Sequence, residues 1–386
     1  MSDAVIVGAA RTAVGTAHKG TLANTPVEEL GKVVLEETIR RSRLDPQLID
    51  DVILADPGHV ARYAVAELGL FHVGGQSINR YCAGSLTAIG SAAATVQSGM
   101  DRAVVAGGAY SASTTPRMTK RKLLTRDEWE DWSPSTHPNS EEAPSPDVSI
   151  LVGHNTAVEA GLTREDMDRW AFRSHARAVA AIDSGAFVDE IVPIKVSAWD
   201  GSVVEFAVDE HPRRGTSLEK LASLKVLHPE IENFQITAGN ASGVNDGAAA
   251  VMVTSDELAR TEGLTPMATI RGWASVGVRP ARMGFGALEA LRKVLDRSGR
   301  KVEDIALWEI NEAFASVPVA ACREFGIDEE IVNVHGSGCS IGHPISASGG
   351  RMINTMIREL QRRGGGLGVA SMCAGGGQGG AVLIEV

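Results

Sequence analysis

The sequence predicts an α/β fold built from a duplicated unit. Three observations carry that prediction. Unbroken apolar runs, Ala4-Val5-Ile6-Val7 and Ala103-Val104-Val105-Ala106, alternate with stretches of helical spacing. Such runs suit strands covered on both faces, so the strands are expected to be mostly parallel. The order of elements in the first third returns, weakly, after residue 285. Between the copies lies a polar, proline-bearing tract, residues 114–147, too long for an ordinary connection.

The first copy opens with the strand Ala4 to Ala10, which ends in small residues and a glycine-punctuated loop. Pro26-Val27-Glu28-Glu29-Leu30 starts a helix with acid in its first turn, and Arg40, Arg41 and Arg43 stand near its end. Asp50-Asp51-Val52-Ile53-Leu54-Ala55 is the next strand, and a second helix is expected around residues 61–68. Gln76-Ser77-Ile78 is a short extended approach to Cys82, and residues 86–96 follow with helical spacing. Cys82 is thus expected where a strand turns into a helix. The unpaired N–H groups and dipole there favour a thiolate. A free thiol of pKa ~8.5 is otherwise ionised to only a few per cent at neutral pH. The alternative is that Cys82 is a small buried apolar residue.

Residues 114–147 read as a functional insertion or cover, with Trp129 and Trp132 expected to pack partly against the body. A capping box begins a helix at Thr163-Arg164-Glu165-Asp166, which carries Met167, Trp170, Ala171 and Ser174 on one face. Strands are expected at 190–194 and 203–206, and a short helix at 217–221. The glycine-rich turn region 238–247 feeds a strand at 248–253. In the second copy, 286–295 repeats the helix at 27–38 and Val302-Glu303-Asp304-Ile305 repeats Ile49-Asp50-Asp51-Val52. Asn333-Val334-His335-Gly336 leads into a small-residue corner and a helix, as the Cys82 stretch does, and 367–372 parallels 103–106.

The 386 residues, 44% hydrophobic, suffice for a large core and more than one domain. A net charge of −11 argues against nucleic acid as a bulk electrostatic partner. No apolar run approaches the roughly 20 residues that span a bilayer. The first residues show no basic stretch followed by an apolar one, so no secretory signal is expected. Cys82, Cys322, Cys339 and Cys373 are widely spaced, which fits free thiols in a reducing cytoplasm.

Four stretches ask for one explanation: Asn79-Arg80-Tyr81-Cys82-Ala83-Gly84-Ser85-Leu86, Asn311-Glu312-Ala313-Phe314, Gly342-His343-Pro344, and Cys373-Ala374-Gly375-Gly376-Gly377. If the copies are related by a pseudo-twofold, the Cys82 and His343 corners meet near its axis. Cys373 enters a glycine run whose N–H groups can approach a ligand closely. A thiol nucleophile, an imidazole and a second thiol form a kit for acyl transfer and for proton abstraction beside a carbonyl. A metal reading would take Cys339, His343 and either Cys373 or His335. Gly342 and Pro344 argue for a loop there, and no Cys-x-x-Cys pair exists, so no metal is expected.

With Gly239-Asn240-Ala241-Ser242-Gly243, Asn245-Asp246-Gly247-Ala248-Ala249-Ala250, Arg11-Thr12 and Asp209-Glu210-His211-Pro212-Arg213, the chain resembles the thiolase family over essentially its whole length. The resemblance implies two βαβαβαββ halves in a layered α-β-α-β-α core, with a loop domain inserted in the first. The implied domains are 1–115 with 244–264, the insert 116–243, and 265–386. It implies that Cys82 carries the acyl group as a thioester, that His343 takes its proton, and that Cys373 is the acid/base of the carbon–carbon step. Asn311 would hold a water that, with His343, forms one oxyanion site. The N–H groups of Cys82 and Gly375 would form the other. Coenzyme A is the implied substrate and product, with no tightly bound cofactor. Ser242 would line its pantetheine channel, and Arg213 or Arg214 would meet its phosphates. The implied reaction is thiolytic cleavage of a 3-ketoacyl-CoA, or the reverse condensation, by a homodimer or homotetramer.

Two alternatives stand beside this one. Decarboxylating ketoacyl synthases share the fold but normally pair one cysteine with two histidines, or with His and Asn. A lipid- or acyl-CoA-binding protein with an altered site would not need Cys82, Asn311, His343 and Cys373 together. The chain departs from the family pattern at Ser337, Ser346, His335 and Cys339 and is short at residues 56–62. Cys339 is expected to be a small packed residue, and His335 a satisfied loop histidine.

Overall fold

The structure, a computed structural model, describes residues 2–145 and 147–386. Of the irregular tract, Pro146 lies outside the described residues. The first half starts with β1 (Ala4–Arg11), buried along its whole length, and the short β2 (Gly15–Thr16). Helix α1 (Val27–Ser42) follows Pro26, with Glu28 and Glu29 in its first turn, Arg40 and Arg41 in its last, and Arg43 left-handed at its C-cap. Then come β3 (Asp51–Ala55), α2 (Val60–Glu67), β4 (Gln76–Ile78), α3 (Gly84–Gln97) and β5 (Ala103–Ser111).

The insertion carries a hairpin of β6 (Thr119–Arg121) and β7 (Trp129–Asp131). A π-helical turn, Ser149–His154, runs into α4 (Asn155–Glu159). Helix α5 (Arg164–Asp183) has the expected capping box, Thr163 with Asp166. A second hairpin, β8 (Ile194–Ser197) with β9 (Val203–Phe206), precedes α6 (Leu218–Ala222). Strand β10 (Asn245–Ser255) and α7 (Asp256–Thr261) complete the first half. The second contains β11 (Ala268–Gly277), α8 (Phe285–Ser298), β12 (Ile305–Ile310), α9 (Ser316–Phe325), α10 (Ser348–Arg363), β13 (Leu367–Ala374) and β14 (Gln378–Glu385).

Sheet order bears out the duplication. The first half runs β1-β10-β5-β3-β4 and the second β11-β14-β13-β12. The Trp308–Val332 bridge stands in the second half where β4 stands in the first. First, last, next-to-last, second and third strands thus lie in the same spatial order twice. The halves join edge to edge through only two ladder pairs, Val5–Thr269 and Ile6–Ala268. Between the sheets, α3 and α10 share one apolar layer in which Leu86 and Ile89 meet Met352, Ile353 and Met356. Helices α1 and α2 cover the first sheet from outside, and α8 and α9 the second. The result is the expected α-β-α-β-α layering. The two central helices approach so closely that a Cβ on Gly349 would lie 2.6 Å from Leu86 Cγ. No helix among the described residues is long and apolar enough to cross a membrane.

Three expectations fail. The sheet is mixed rather than mostly parallel: β3–β5, β3–β4 and β12–β13 are parallel, whereas β1–β10, β10–β5, β11–β14 and β13–β14 are antiparallel. Covered strands read as apolar runs in either direction, so composition could not report the sense. Trp129 is 65% and Trp132 40% exposed, because the β6–β7 hairpin stands away from the body. The strand expected at 190–194 is a single bridge, Arg11–Ile191, and regular pairing begins only at Ile194.

Candidate active site

Cys82 sits in a 3-10 turn, Tyr81–Ala83, one step before α3. The turn is built by Asn79, whose Oδ1 accepts the Tyr81 N–H at 2.8 Å, and by Tyr81 itself at φ 45°. A non-glycine residue in that region costs of order 1–2 kcal/mol, which the surrounding turn must hold in place. The thiol is half-buried and faces an apolar cavity. Burial pushes its pKa up to about 11, while the N–H groups of Cys82 and Gly375 pull the other way. The expected preference for thiolate therefore loses to desolvation, and the resting group is a thiol.

His343 enters from the second half. Gly342, at φ 107°, turns the chain, and the His343 N–H donates to Asn245 Oδ1 at 2.9 Å. Its Nδ1 lies 2.6 Å from Ser348 Oγ, and that hydroxyl also donates to Pro344 O at 2.9 Å. A hydroxyl has one proton. With that proton on Pro344 O, Nδ1 is the donor to Ser348, and Nε2 keeps its lone pair. Burial, and then the Arg351 charge, push the imidazole pKa down to about 4, so the ring is neutral at pH 7. Asn311, at the end of β12, reaches within 3.4 Å of Nδ1. Asn311 Oδ1 and His343 Nε2 are both buried without a protein partner.

Cys373 ends β13, just before the turn Gly375–Gly376–Gly377 into β14. Gly376 and Gly377 take φ 82° and 80°, which only glycine adopts at little cost. A Cβ on Gly375 would lie 2.9 Å from the Tyr81 ring, so the Gly375 amide can approach Cys82 because no side chain stands there. Burial, and next the neighbouring Cys82, hold the Cys373 thiol far above its usual range. Cys82, His343, Cys373, Gly375 and Ser242 all line one cavity of about 350 Å³. Two thiols and a neutral imidazole, contributed by both halves, therefore share a single apolar chamber.

Residues 4–257 match the family description "Thiolase, N-terminal domain", and residues 264–386 match "Thiolase, C-terminal domain". The chain belongs to the thiolase family. It is 38% identical to an acetyl-CoA acetyltransferase of Escherichia coli K12, over 100% of this chain and 99% of that one. It is 37% identical, over the whole of both chains, to an Escherichia coli K12 protein named 3-oxoadipyl-CoA/3-oxo-5,6-dehydrosuberyl-CoA thiolase. The structure superposes on human mitochondrial 3-ketoacyl-CoA thiolase with a TM-score of 0.89 at 31% identity, covering 100% and 98% of the two chains. It is thus an enzyme of the thiolase family, whose chemistry is cleavage or formation of the bond between acyl units carried on coenzyme A.

The remaining residues of this thiolase fall into place around the chamber. Ser242 lies on its wall, fixed by its N–H to Ala313 O at 2.9 Å. Arg214 is not on the wall: it is exposed and ion-paired to Asp183 at 2.6 Å. The Arg213 side chain is likewise absent from the lining, and its N–H donates to His175 Nδ1 at 3.1 Å. Asn311 is not on the wall, and its side chain lies 3.4 Å from His343 Nδ1.

The acid of the Asn311-Glu312 pair is structural. Glu312 accepts from Trp170 Nε1 (2.8 Å), Ser174 Oγ (2.6 Å), Asn333 Nδ2 (2.9 Å) and Cys339 N (3.1 Å), tying α5 to the stretch that leads to His343. Glu309 meets Arg351 at 3.1 Å, and Arg351 also donates to Ser337 Oγ at 2.7 Å. Burial pushes the Glu309 carboxyl up to about 7 against the pull of Arg351. Arg11 and Asp209 form a buried two-pronged pair away from the chamber. As expected, Cys339 is packed, its Sγ 3.6 Å from Glu312 O, and His335 is satisfied by Glu359 at 2.8 Å.

Sequence reasoning did not single out Ser348, which fixes the imidazole tautomer, nor the wall residues Tyr110, Thr136, Val148 and Met283. For Ser348 a signal existed: a hydroxyl five positions after His343, at a helix start. The wall residues carry none, since each belongs to a different segment.

Proposed function

We propose that this enzyme cleaves a 3-ketoacyl-CoA thiolytically through an acyl-Cys82 thioester. The observation that supports this reading is the convergence of Cys82, His343 and Cys373 on one apolar chamber. With Cys82 held up near 11 and His343 down near 4, a resting thiolate–imidazolium pair is unfavourable. Proton transfer therefore accompanies attack. Cys82 Sγ bonds the substrate's C3 carbonyl carbon as its proton passes to His343 Nε2. The C2–C3 bond then breaks, and its electron pair moves to C2 as the enolate of acetyl-CoA. Cys373 Sγ–H protonates C2, and acetyl-CoA leaves. Coenzyme A thiol next attacks the acyl-Cys82 carbonyl and gives its proton to the Cys373 thiolate. The shortened acyl-CoA leaves, and the Cys82 sulfur takes back the proton held on His343 Nε2.

Each step places negative charge on a thioester or ketone oxygen. The Cys82 and Gly375 amides serve one such oxygen, and His343 with a water on Asn311 serves the other. A fixed donor of this kind contributes about 3–4 kcal/mol, and a placed acid/base typically 10²–10⁴-fold. Condensation of two acyl-CoA molecules is the same sequence reversed.

The same reading assigns Ser242 to the pantetheine arm and Arg214, through a change of partner from Asp183, to the nucleotide phosphates. It divides the chain into 1–115 with 244–264, an insert 116–243, and 265–386. A dimer through the free edge of β4 is supported by its terminal place in the sheet, three residues before the Cys82 turn. A cytoplasmic location is supported by four free cysteines, two of which must stay reduced to work.

Intact-mass measurement tests the assignment. Wild type should gain an acyl group from acyl-CoA, and Cys82→Ala should not. Cys373→Ala should still be acylated yet lose carbon–carbon cleavage. If it cleaves like wild type, the division of labour between the two sulfurs is wrong.

A further inference from the structure

We infer that this enzyme selects 3-ketoacyl-CoA substrates whose acyl chain ends in an uncharged apolar group and rejects those ending in a carboxylate. The inference rests on the thiolase reading of the chamber and narrows its substrate class. The chamber wall near the sulfurs is formed by Tyr81, Tyr110, Val148, Val152, Met283 and Ile345. Among the described residues no lysine or arginine lines it, and the imidazole that does, His343, is neutral. The remaining side-chain polar groups on the wall, Thr136 and Ser242, are uncharged.

Two cations stand near the catalytic stretches in sequence, and neither lines the chamber. Arg351 is paired to Glu309 and bonded to Ser337, and the Arg80 guanidinium donates to Thr87 Oγ1. The charged group directly behind Tyr110 has the wrong sign for an anion. Asp246 is fully buried behind Tyr110 and accepts from the Ser113 N–H and hydroxyl. Its field reaches the Tyr110 phenol.

A short acyl group on Cys82 extends only a few bonds from its carbonyl, so its far end stays inside the chamber. A methyl end there gains apolar contact. A carboxylate end there gives up its water with no cation to meet it and with Asp246 behind the wall. The family contains a protein named for a dicarboxylic substrate at 37% identity, so the choice is not settled by membership.

The test is a matched pair of equal carbon number, 3-oxohexanoyl-CoA and 3-oxoadipyl-CoA, cleaved with coenzyme A by the intact enzyme. The expected result is a kcat/KM ratio of roughly a hundredfold or more in favour of 3-oxohexanoyl-CoA. Val148→Lys, at a half-exposed wall position, should narrow the ratio about tenfold, chiefly by raising activity on 3-oxoadipyl-CoA. Val148→Met should leave the ratio within a few-fold of wild type. Comparable cleavage of both substrates by wild type overturns the inference and leaves the thiolase reading standing. If none of 3-oxohexanoyl-CoA, 3-oxoadipyl-CoA and acetoacetyl-CoA is cleaved, that reading is overturned and the inference with it.

Discussion

The two halves close their sheets by connections of very different length. In the second half, β13 passes to β14 through residues 375–377. In the first, β5 passes to β10, the equivalent pair, through residues 112–244. The short connection brings Cys373 and the Gly375 amide to the chamber, with no side chain to block the approach. The long one supplies Thr136, Val148, Val152 and Ser242 to the wall of the same chamber. One copy of the unit is minimal at the place where its backbone reaches the chamber, and the other is expanded there into a wall.

The corners contrast as well. The Cys82 corner is open and held by few bonds, whereas the His343 corner is braced by Asn245, Ser348 and Pro344 and backed by Glu309–Arg351 and Glu312. On the proposed mechanism this leaves the nucleophile accessible and holds the proton acceptor in one orientation.

The strongest test of the short connection is Gly375→Ala. Its Cβ would meet the Tyr81 ring and displace an oxyanion donor. We expect kcat to fall 10²–10³-fold with little change in melting temperature, measured by steady-state kinetics beside thermal unfolding. At the braced corner, Glu312→Ala leaves the buried Trp170 Nε1–H and Cys339 N–H without an acceptor and takes one of two partners from Ser174 and Asn333. A loss of about 3 kcal/mol or more in urea unfolding is expected, and a loss under 1 kcal/mol would show that Glu312 does not hold the loops. Ser348→Ala should free the imidazole to flip its tautomer. A 10–100-fold drop in kcat at nearly constant KM is expected. An unchanged kcat would assign Nδ1 to Asn311 alone.

Acid should weaken the two halves by a shared route. His343, and His175 and His211 in the long connection, are all pushed down to about 4 by burial, from an unfolded value near 6.5. The unfolded chain binds these protons first. Their contribution to stability is therefore complete above about pH 6.5 and is lost as pH falls towards 4. Melting temperature should decline steadily across that window, and His175→Gln should flatten the decline. The smallest effect belongs to the long connection's rim. Arg214→Ala should raise KM for coenzyme A severalfold at constant kcat, and an unchanged KM removes Arg214 from the coenzyme A site.

Much of this was legible because chemistry and chain geometry wrote it locally. The capping box at Thr163, the glycine run after Cys373 and the cysteine at a strand-to-helix corner are each short patterns with one physical meaning. The repeated order of helix, turn and strand exposed the duplication. Strand sense stayed hidden because β10, which comes back after the insert, and β14, which comes back after three residues, present the same covered faces as parallel neighbours. The fate of Trp129 and Trp132 was misread because an aromatic residue on a projecting hairpin looks, in one dimension, like one on a packed loop. The chamber wall was illegible for a simpler reason. Tyr110, Thr136, Val148 and Met283 become neighbours only after the sheets have formed.

The narrow ladder between β1 and β11 carries a practical corollary. Since two residue pairs knit the sheets there, the halves cohere chiefly through side chains: the apolar interlock of α3 with α10, and α5, bonded to Glu312, packed with the insert's π-helical turn against α9. The tether at residues 262–266 is mostly exposed and contributes little of its own. Nicking it would leave two fragments that each keep a reactive corner, inert apart and competent once re-zipped through that greasy spine.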